Sequence, residues 1–299
     1  MRVVLAGGSG LIGRALGAEL VRLGHDPVVL SRRASSTGGL RTVRWDPEVV
    51  GTWVDELRGA DAVVNLCGAS VGGGPWTQRR KRALRHSRVA PTRALVRAIA
   101  SLAASERPRV LVSSSGTDQY EGHDAQPADE DTPAVDTFLS GLCQEWEAEA
   151  TKAEADGVRV VLARTSLVIA EGAPALRLLA LPFRLFVGGR FGSGRQWVSW
   201  IDLSDAIGIL LFAVESEEMR GPINLAAPDA RRQSEFAHAI ASTLHRPSWL
   251  ATPAWLLRLA LGEQAGLLLG SRRVWPARAL ASGYTFACPG LEESLSRRL

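Results

Sequence analysis

The feature that most constrains this chain is a glycine triplet set between an apolar run and an amphipathic one. Val3-Val4-Leu5-Ala6 is short and rich in β-branched residues, as expected of a parallel strand covered on both faces. Gly7-Gly8-Ser9-Gly10 breaks it. Leu11, Ile12, Ala15, Leu16, Leu20 and Leu23 then recur at helical spacing until Gly24. Gly7, Gly10 and Gly13 are spaced by three. In a strand–turn–helix the first glycine permits the tight turn and the second lets backbone N–H groups approach a diphosphate. The third lets helix and strand pack closely. The helix N-terminus adds oriented donors and about half a positive charge. A bare triplet says little, but this one has the context that a dinucleotide-binding turn requires.

A second apolar run, Pro27-Val28-Val29-Leu30, ends on Ser31-Arg32-Arg33. A site for NAD usually carries Asp or Glu there, to bind the ribose 2′-hydroxyl. Asp26 lies at the wrong end of the run. A hydroxyl and guanidinium groups suit a 2′-phosphate, through charge and bidentate hydrogen bonds, so the expected cofactor is NADP(H). The competing reading is that these arginines are solvated surface charge.

Strand and helix patterns go on alternating. Asp61–Leu66, Arg109–Val112 and Val158–Leu162 read as strands. Val89, Thr92, Leu95, Val96 and Ile99 share one helix face, and a further helix is expected from about Thr137 to Ala155. This predicts an α/β chain, with right-handed crossovers building a Rossmann-like, doubly wound parallel sheet and a ligand at the C-terminal edge of its strands. After about residue 165 the pattern breaks at Pro182, Gly188-Gly189 and Gly192-Ser193-Gly194. The expected organisation is a Rossmann domain over 1–164, completed by about 201–230, and a smaller C-terminal α+β lobe over 165–299 on the substrate side.

Composition excludes several classes. With 46% hydrophobic and 22% charged residues in 299, the chain is neither disordered nor collagen-like, and its core needs no covalent staple. Cys67, Cys143 and Cys288 are odd in number and far apart, which argues against a disulfide framework and fits a reducing compartment. The five histidines form no ligand spacing with Cys, Asp or Glu, so no metal site is expected. The opening apolar run is too short for a secretory segment, and Ile207–Val214 falls far below the ~20 residues of a membrane span. The expectation is a cytoplasmic protein with no membrane partner. Arg79-Arg80-Lys81-Arg82, with Arg85 and Arg88, is the densest basic run. It lacks the interleaved aromatics of single-strand binders, and a net charge of +4 is mild, so no nucleic-acid partner is expected.

Taken together, these residues resemble the extended short-chain dehydrogenase/reductase family, and within it the atypical, epimerase-like branch that carries a C-terminal domain of unknown function. The resemblance rests on Gly7–Gly13, Asn65-Leu66-Cys67-Gly68, Trp76-Thr77 with Ser87-Arg88, Trp146-Glu147 and Arg164–Val168. It continues through Gly192–Trp197 with Trp200-Ile201 and a tail from Pro253 to Tyr284. It implies an NADP(H)-binding Rossmann fold and a homodimer, with a small-molecule substrate that it does not identify. It places Gly7, Ser9, Gly10, Leu11 and Ile12 at the cofactor, Ser31 and Arg32 at the 2′-phosphate, and Leu66, Cys67 and Gly68 beside the adenosine. Arg88 would line the cofactor and Leu167 would lie near the nicotinamide. Cys67 stands where the branch usually has alanine, which suits packing over thiol chemistry.

The wider family exchanges a proton through a Tyr-x-x-x-Lys pair. Only two tyrosines occur here: Asp124 lies four residues after Tyr120, and Cys288 four after Tyr284. The pair is absent. In the helix expected to carry it, Leu139-Ser140-Gly141-Leu142-Cys143 puts a leucine and a cysteine about where it belongs. Of what remains, Ser115 at the end of the fifth strand is the expected substrate-orienting hydroxyl, and Tyr120 could reach the site from the following loop. Each could equally satisfy local backbone. Glu145 or Glu147 could act as acid or base if buried, although a structural arginine partner is the commoner fate. Asp202 replaces the branch's usual histidine, and a carboxylate cannot donate a proton near neutral pH unless strongly desolvated. Trp197 and Trp200 could line a substrate pocket or lie in the core. Two readings stand: an NADP(H)-dependent, epimerase-like oxidoreductase, or an NADP(H)-binding sensor or scaffold with little turnover. The enzyme should show polar groups from Ser115, Tyr120 and the 192–202 loop converging on a pocket.

Overall fold

A computed structural model describes residues 1–32, 39–122 and 126–299. The opening apolar run forms β1 (Arg2–Ala6), whose side chains alternate between two cores. Val3 and Leu5 pack with Leu16 and Leu20 of α1 (Leu11–Arg22), whereas Val4 and Ala6 pack against Leu95 and Ile99 of α2 (Gln78–Ala100). A strand buried on both faces must be apolar at every position, which is why the run lacks strand-like alternation.

Six further strands join β1: β2 (Asp26–Ser31), β3 (Arg41–Arg44), β4 (Ala62–Asn65), β5 (Val110–Gly116), β6 (Arg159–Thr165) and, later in the chain, β10 (Gly221–Leu225). The order is β10-β6-β5-β4-β1-β2-β3, and every pairing is parallel. The order runs outward from β1 in both directions, so the edge between β1 and β4 is a topological switch point, where α/β sheets open a ligand crevice. The register brings Ala6, Asn65 and Ser113 to that edge together. The helix expected from Thr137 is α3 (Phe138–Thr151), whose N-cap Thr137 accepts from the Ser140 N–H at 3.2 Å. Strand β3 had no signal in the sequence: Arg-Thr-Val-Arg is an edge strand with no apolar run.

Beyond Thr165 two small ladders form. β7 (Leu167–Ile169) pairs with β9 (Trp200–Asp202), and β8 (Trp197–Val198) with β11 (Arg231–Arg232). Helices α4 (Pro174–Arg184), α6 (Gln233–Thr243) and α10 (Leu291–Arg298) enclose a third core around Phe183, Trp200, Phe236 and Leu295. Between them α5 (Leu203–Glu215) packs on the main sheet and β10 completes it beside β6, so the chain returns from this part to the main sheet and leaves it again. The remaining helices are α7 (Ala254–Leu261), α8 (Gly266–Leu269) and α9 (Ala277–Ala281).

Asp202, fully buried, ties these layers together. It caps α5 by accepting from the Ser204 N–H at 2.8 Å, and it also accepts from the Ser294 hydroxyl at 2.7 Å and Arg298 Nη2 at 2.8 Å. Burial works to raise its pKa, but Arg298, Ser204 and Ser294 prevail and hold it below the ordinary aspartate value. The unfolded chain therefore takes up this proton first. The carboxylate contributes stability above the ordinary aspartate range and loses it as pH falls through the depressed value. Asp202→Asn is expected to cost about 2 kcal/mol at neutral pH, less than a fully enclosed pair because Arg298 is a quarter exposed. Urea unfolding at pH 7 and pH 3 checks this: the deficit should shrink in acid.

Candidate nucleotide site and the polar network beside it

The glycine turn is built as its spacing predicts. Gly7 has φ +77°, and a β-carbon there would lie 2.8 Å from the Leu66 carbonyl oxygen; at Gly13 it would lie 2.5 Å from the Gly8 Cα. Gly10 donates to the Gly7 carbonyl at 3.0 Å and serves as the N-cap of α1, with no side-chain cap and no acidic residue in the first turn. Among the described residues no capping side chain serves the first N–H groups of α1, which is the arrangement that receives an anion. Ser9 is exposed at the turn, while Leu11 and Ile12 are half-buried and root the helix in the third and first cores.

Opposite the turn, Leu66-Cys67-Gly68 leaves the end of β4. Buried Asn65 shapes this exit: its side-chain oxygen accepts from the Cys67 N–H at 3.2 Å, and its amide donates to Thr92 Oγ1 at 2.8 Å and Ser113 Oγ at 3.2 Å. Trp146 Nε1 completes the cluster by donating to Thr92 Oγ1 at 2.9 Å. Burial pushes the Cys67 thiol up to about 12, so it packs as a neutral group. Arg88 of α2 stacks its guanidinium on Gly68, where a β-carbon would come within 3.2 Å of Cζ. It donates to the Ala69 carbonyl at 3.0 Å and the Leu84 carbonyl at 3.2 Å. Among the described residues no carboxylate pairs with it. Desolvation lowers its pKa, yet it remains a cation pressed against the crevice.

At the end of β2, Ser31 is buried and Arg32 is exposed. Arg33 lies outside the described residues. Sequence reasoning missed Arg44, which the parallel register of β3 sets directly beside Ser31. Arg32 and Arg44 line a cleft of about 750 Å³ with Trp45, Asp46, Thr52 and Trp53. No local signal could have revealed Arg44, because only the β2–β3 pairing brings it there. Leu167 is half-buried at the head of β7, its N–H bonded to the Ser199 carbonyl at 3.3 Å.

Ser115 and Tyr120 do come together, through a third and a fourth residue. Arg164 of β6 donates to Glu147 of α3 twice, from Nε at 2.9 Å and Nη2 at 2.8 Å. It also donates to the Tyr120 hydroxyl and, at 3.1 Å, to the Glu130 carbonyl. Glu147 accepts in addition from Ser115 Oγ at 2.6 Å and Gln119 Nε2 at 2.5 Å. The Tyr120 hydroxyl donates to Asn224 Oδ1 at 3.2 Å. Ser115 is 5% exposed and Tyr120 0%. Burial pushes the tyrosine up to about 12 and also opposes the Arg164 charge, which Glu147 and Tyr120 hold above its ordinary value. Both hydroxyls are spent inside the protein. Leu139 lies in an apolar cluster with Leu84 and Leu142. Cys143 sits beneath Gly116, its thiol pushed up to about 12 by burial and then by Asp118 and Glu147.

The other candidates have partners within the fold. Glu145 pairs with Arg85 at 2.7 Å, Lys81 with Glu263 at 2.5 Å, and Arg80 donates to the Ser70 carbonyl at 2.5 Å, so much of the basic run is spent within the fold. Trp200 is fully buried and donates to the Asp229 carbonyl. Trp197 lies between the guanidinium groups of Arg232 and Arg273, at 4.0 and 4.4 Å.

Comparison with known proteins accords with this geometry. Residues 3–226 match the NAD dependent epimerase/dehydratase family, and residues 252–297 match a domain of unknown function, DUF1731. An epimerase family protein of Mycobacterium leprae, ML0860, is 36% identical over 98% of this chain and 94% of its own length. YfhF of Bacillus subtilis is also 36% identical, over 99% of this chain and 97% of its own length. A crystal structure of human epimerase family protein SDR39U1 with NADPH superposes with a TM-score of 0.88 at 32% identity, covering 99% of this chain and 98% of that one. The chain belongs to the NAD dependent epimerase/dehydratase family and ends in a match to the DUF1731 domain.

Proposed function

We propose that this chain binds NADP(H) in the crevice between β1 and β4 and works as an epimerase-like oxidoreductase on a small molecule. The observation that carries this is the pairing of an uncapped α1 N-terminus with the carboxylate-free Arg88 guanidinium. Two sources of positive potential face a backbone cradle that β-carbons would fill. The α1 amides receive the diphosphate, Arg88 adds a fixed charge, and Ser31, Arg32 and Arg44 hold the 2′-phosphate. When bound, the nicotinamide supplies hydride-transfer chemistry. The SDR39U1 structure with NADPH, at 32% identity, supports the same cofactor here.

A second reading, an NADP(H)-binding sensor or scaffold of low turnover, draws on a separate observation: Ser115 and Tyr120 are buried with their hydroxyls spent, and no Tyr-x-x-x-Lys pair replaces them. Oxidation of NADPH against a panel of carbonyl compounds separates the two. If turnover appears and Ser115→Ala leaves it intact, that serine has no orienting role.

Calorimetric titration tests the cofactor. NADPH should bind at least ~10-fold tighter than NADH, as charge-assisted bonds to one extra phosphate require. Arg32→Ala combined with Arg44→Ala should erase the difference. Equal affinity of the unmodified chain for the two dinucleotides refutes the assignment.

A further inference from the structure

Among the described residues, the C-terminal lobe leaves an apolar face in water, built from residues outside the glycine turn and the 66–69 turn of the nucleotide crevice. Leu178, Leu181 and Leu185 recur at i, i+3 and i+7 along α4 and its C-cap, and all three are exposed. The next turn holds Phe186, a residue 54% exposed, at φ +63°, an uncommon backbone conformation for a bulky residue. Trp249 joins this turn by donating from Nε1 to the Phe186 carbonyl at 3.0 Å, and it is 67% exposed. The segment then leads into α7, Ala-Trp-Leu-Leu-Arg-Leu-Ala-Leu, in which no residue is buried; Trp255 is 66% exposed and Leu259 77%. Ala254, Leu257 and Leu261 are half-buried on one side, so the apolar side chains of Trp255, Leu256 and Leu259 are left in water.

Charge says what finishes it. The chain carries no Asp or Glu between Glu171 and Asp202, nor between Glu235 and Glu263. Those two stretches build this face. They carry Arg177, Arg184, Arg190, Arg195, Arg246 and Arg258, all exposed. Among the described residues none of these six is in a salt bridge, and Arg246 lies over the Phe186 ring at 4.6 Å. An isologous pairing of two copies would set one arginine rim against another, so a second copy is the wrong occupant. Glu263, just past the end of α7, and Glu121 share a cleft with Arg258; elsewhere leucine, phenylalanine and tryptophan are rimmed by arginine, the chemistry of a segment lying in the plane of an anionic lipid surface. Apolar side chains enter the acyl boundary, indoles settle at the headgroups, and arginines reach phosphate. No helix of the described residues is long and apolar enough to cross a membrane, but in-plane docking needs no span. This departs from the sequence-based expectation of no membrane partner.

We propose that the face formed by α4, the 185–187 turn, the 249–250 segment and α7 docks this protein on membranes rich in anionic phospholipid. The test floats the full chain with phosphatidylcholine vesicles and with vesicles that also contain phosphatidylglycerol. The chain should rise with the anionic vesicles and not with the neutral ones, and its tryptophan emission should shift to the blue. Leu178→Glu and Leu259→Glu should each reduce flotation at least ~10-fold, as a charge forced against the acyl boundary requires. Both should leave NADPH affinity unchanged, which verifies the fold. Arg184→Gln with Arg258→Gln should weaken binding roughly 30-fold. Failure to float with anionic vesicles at low salt overturns the proposal, as does equal flotation with neutral ones. If the chain ignores vesicles and light scattering shows a dimer that Leu259→Glu dissociates, the occupant is a second copy and the proposal falls.

Discussion

Glu147→Ala is expected to destabilise the protein by about 3–5 kcal/mol, the cost of stranding a buried charge whose partner has been removed. Glu147 accepts four hydrogen bonds, from Ser115, Gln119 and twice from Arg164. Its side chain is 10% exposed and that of Arg164 11%. With the carboxylate gone, water can replace little of what Arg164 loses. Removing both charges should cost less than removing one: Glu147→Met with Arg164→Met leaves no ion to desolvate and should recover more than half of the single-variant loss. Ser115→Ala removes one neutral donor from a carboxylate that keeps three others, and should cost only about 1 kcal/mol. A double-mutant cycle by chemical denaturation decides the matter. Strictly additive losses would mean that the pair does not act as a unit. The same cycle bears on function, because a network that exists to hold α3 against β5 and β6 predicts loss of stability before any loss of cofactor affinity.

The reverse pattern is expected at Arg88. Arg88→Leu should weaken NADPH binding by about 2–3 kcal/mol, some 30- to 150-fold, as for other charge-assisted contacts to phosphate. The unfolding midpoint without nucleotide should move little. The physical reason is that Arg88 carries a desolvation cost in the free protein, visible in its lowered pKa, offset by the Ala69 and Leu84 carbonyls, the Ser87 hydroxyl, the Trp146 ring 5.3 Å away and the charge of Asp118. Leucine relieves the cost and forfeits those bonds, and the two changes nearly cancel. Titration and thermal unfolding of the same variant provide the check. A large drop in midpoint with unchanged affinity would make Arg88 a strut for the 66–69 turn instead of a cofactor ligand.

Much of the nucleotide site was legible in the chain because its information is local. Gly7, Gly10 and Gly13 specify their turn within seven consecutive residues: the left-handed φ at Gly7 and the clash of a Gly13 β-carbon with the Gly8 Cα are local, and only the Leu66 carbonyl at Gly7 comes from afar. The buried strands announced themselves through unbroken apolar runs, and α1 through its helical period. β3 stayed silent because an edge strand needs few apolar residues, and with it went Arg44.

What the sequence alone determined is therefore the parallel α/β sheet and the turn that opens its crevice, since backbone sterics and hydrophobic period act between neighbours along the chain. Tertiary structure decided the fate of everything polar beyond that turn. Ser115, Tyr120, Glu147 and Arg164 come from β5, its following loop, α3 and β6, and only their convergence decides for a closed, hydrogen-bonded network over free hydroxyls, a choice that the sequence left open. It also decided which apolar residues remain outside: Leu176 and Leu178 lie two apart in α4, yet packing buries the first and leaves the second in water. A hydrogen-bond partner or a covered face is a relation between distant segments, and chain order does not record it.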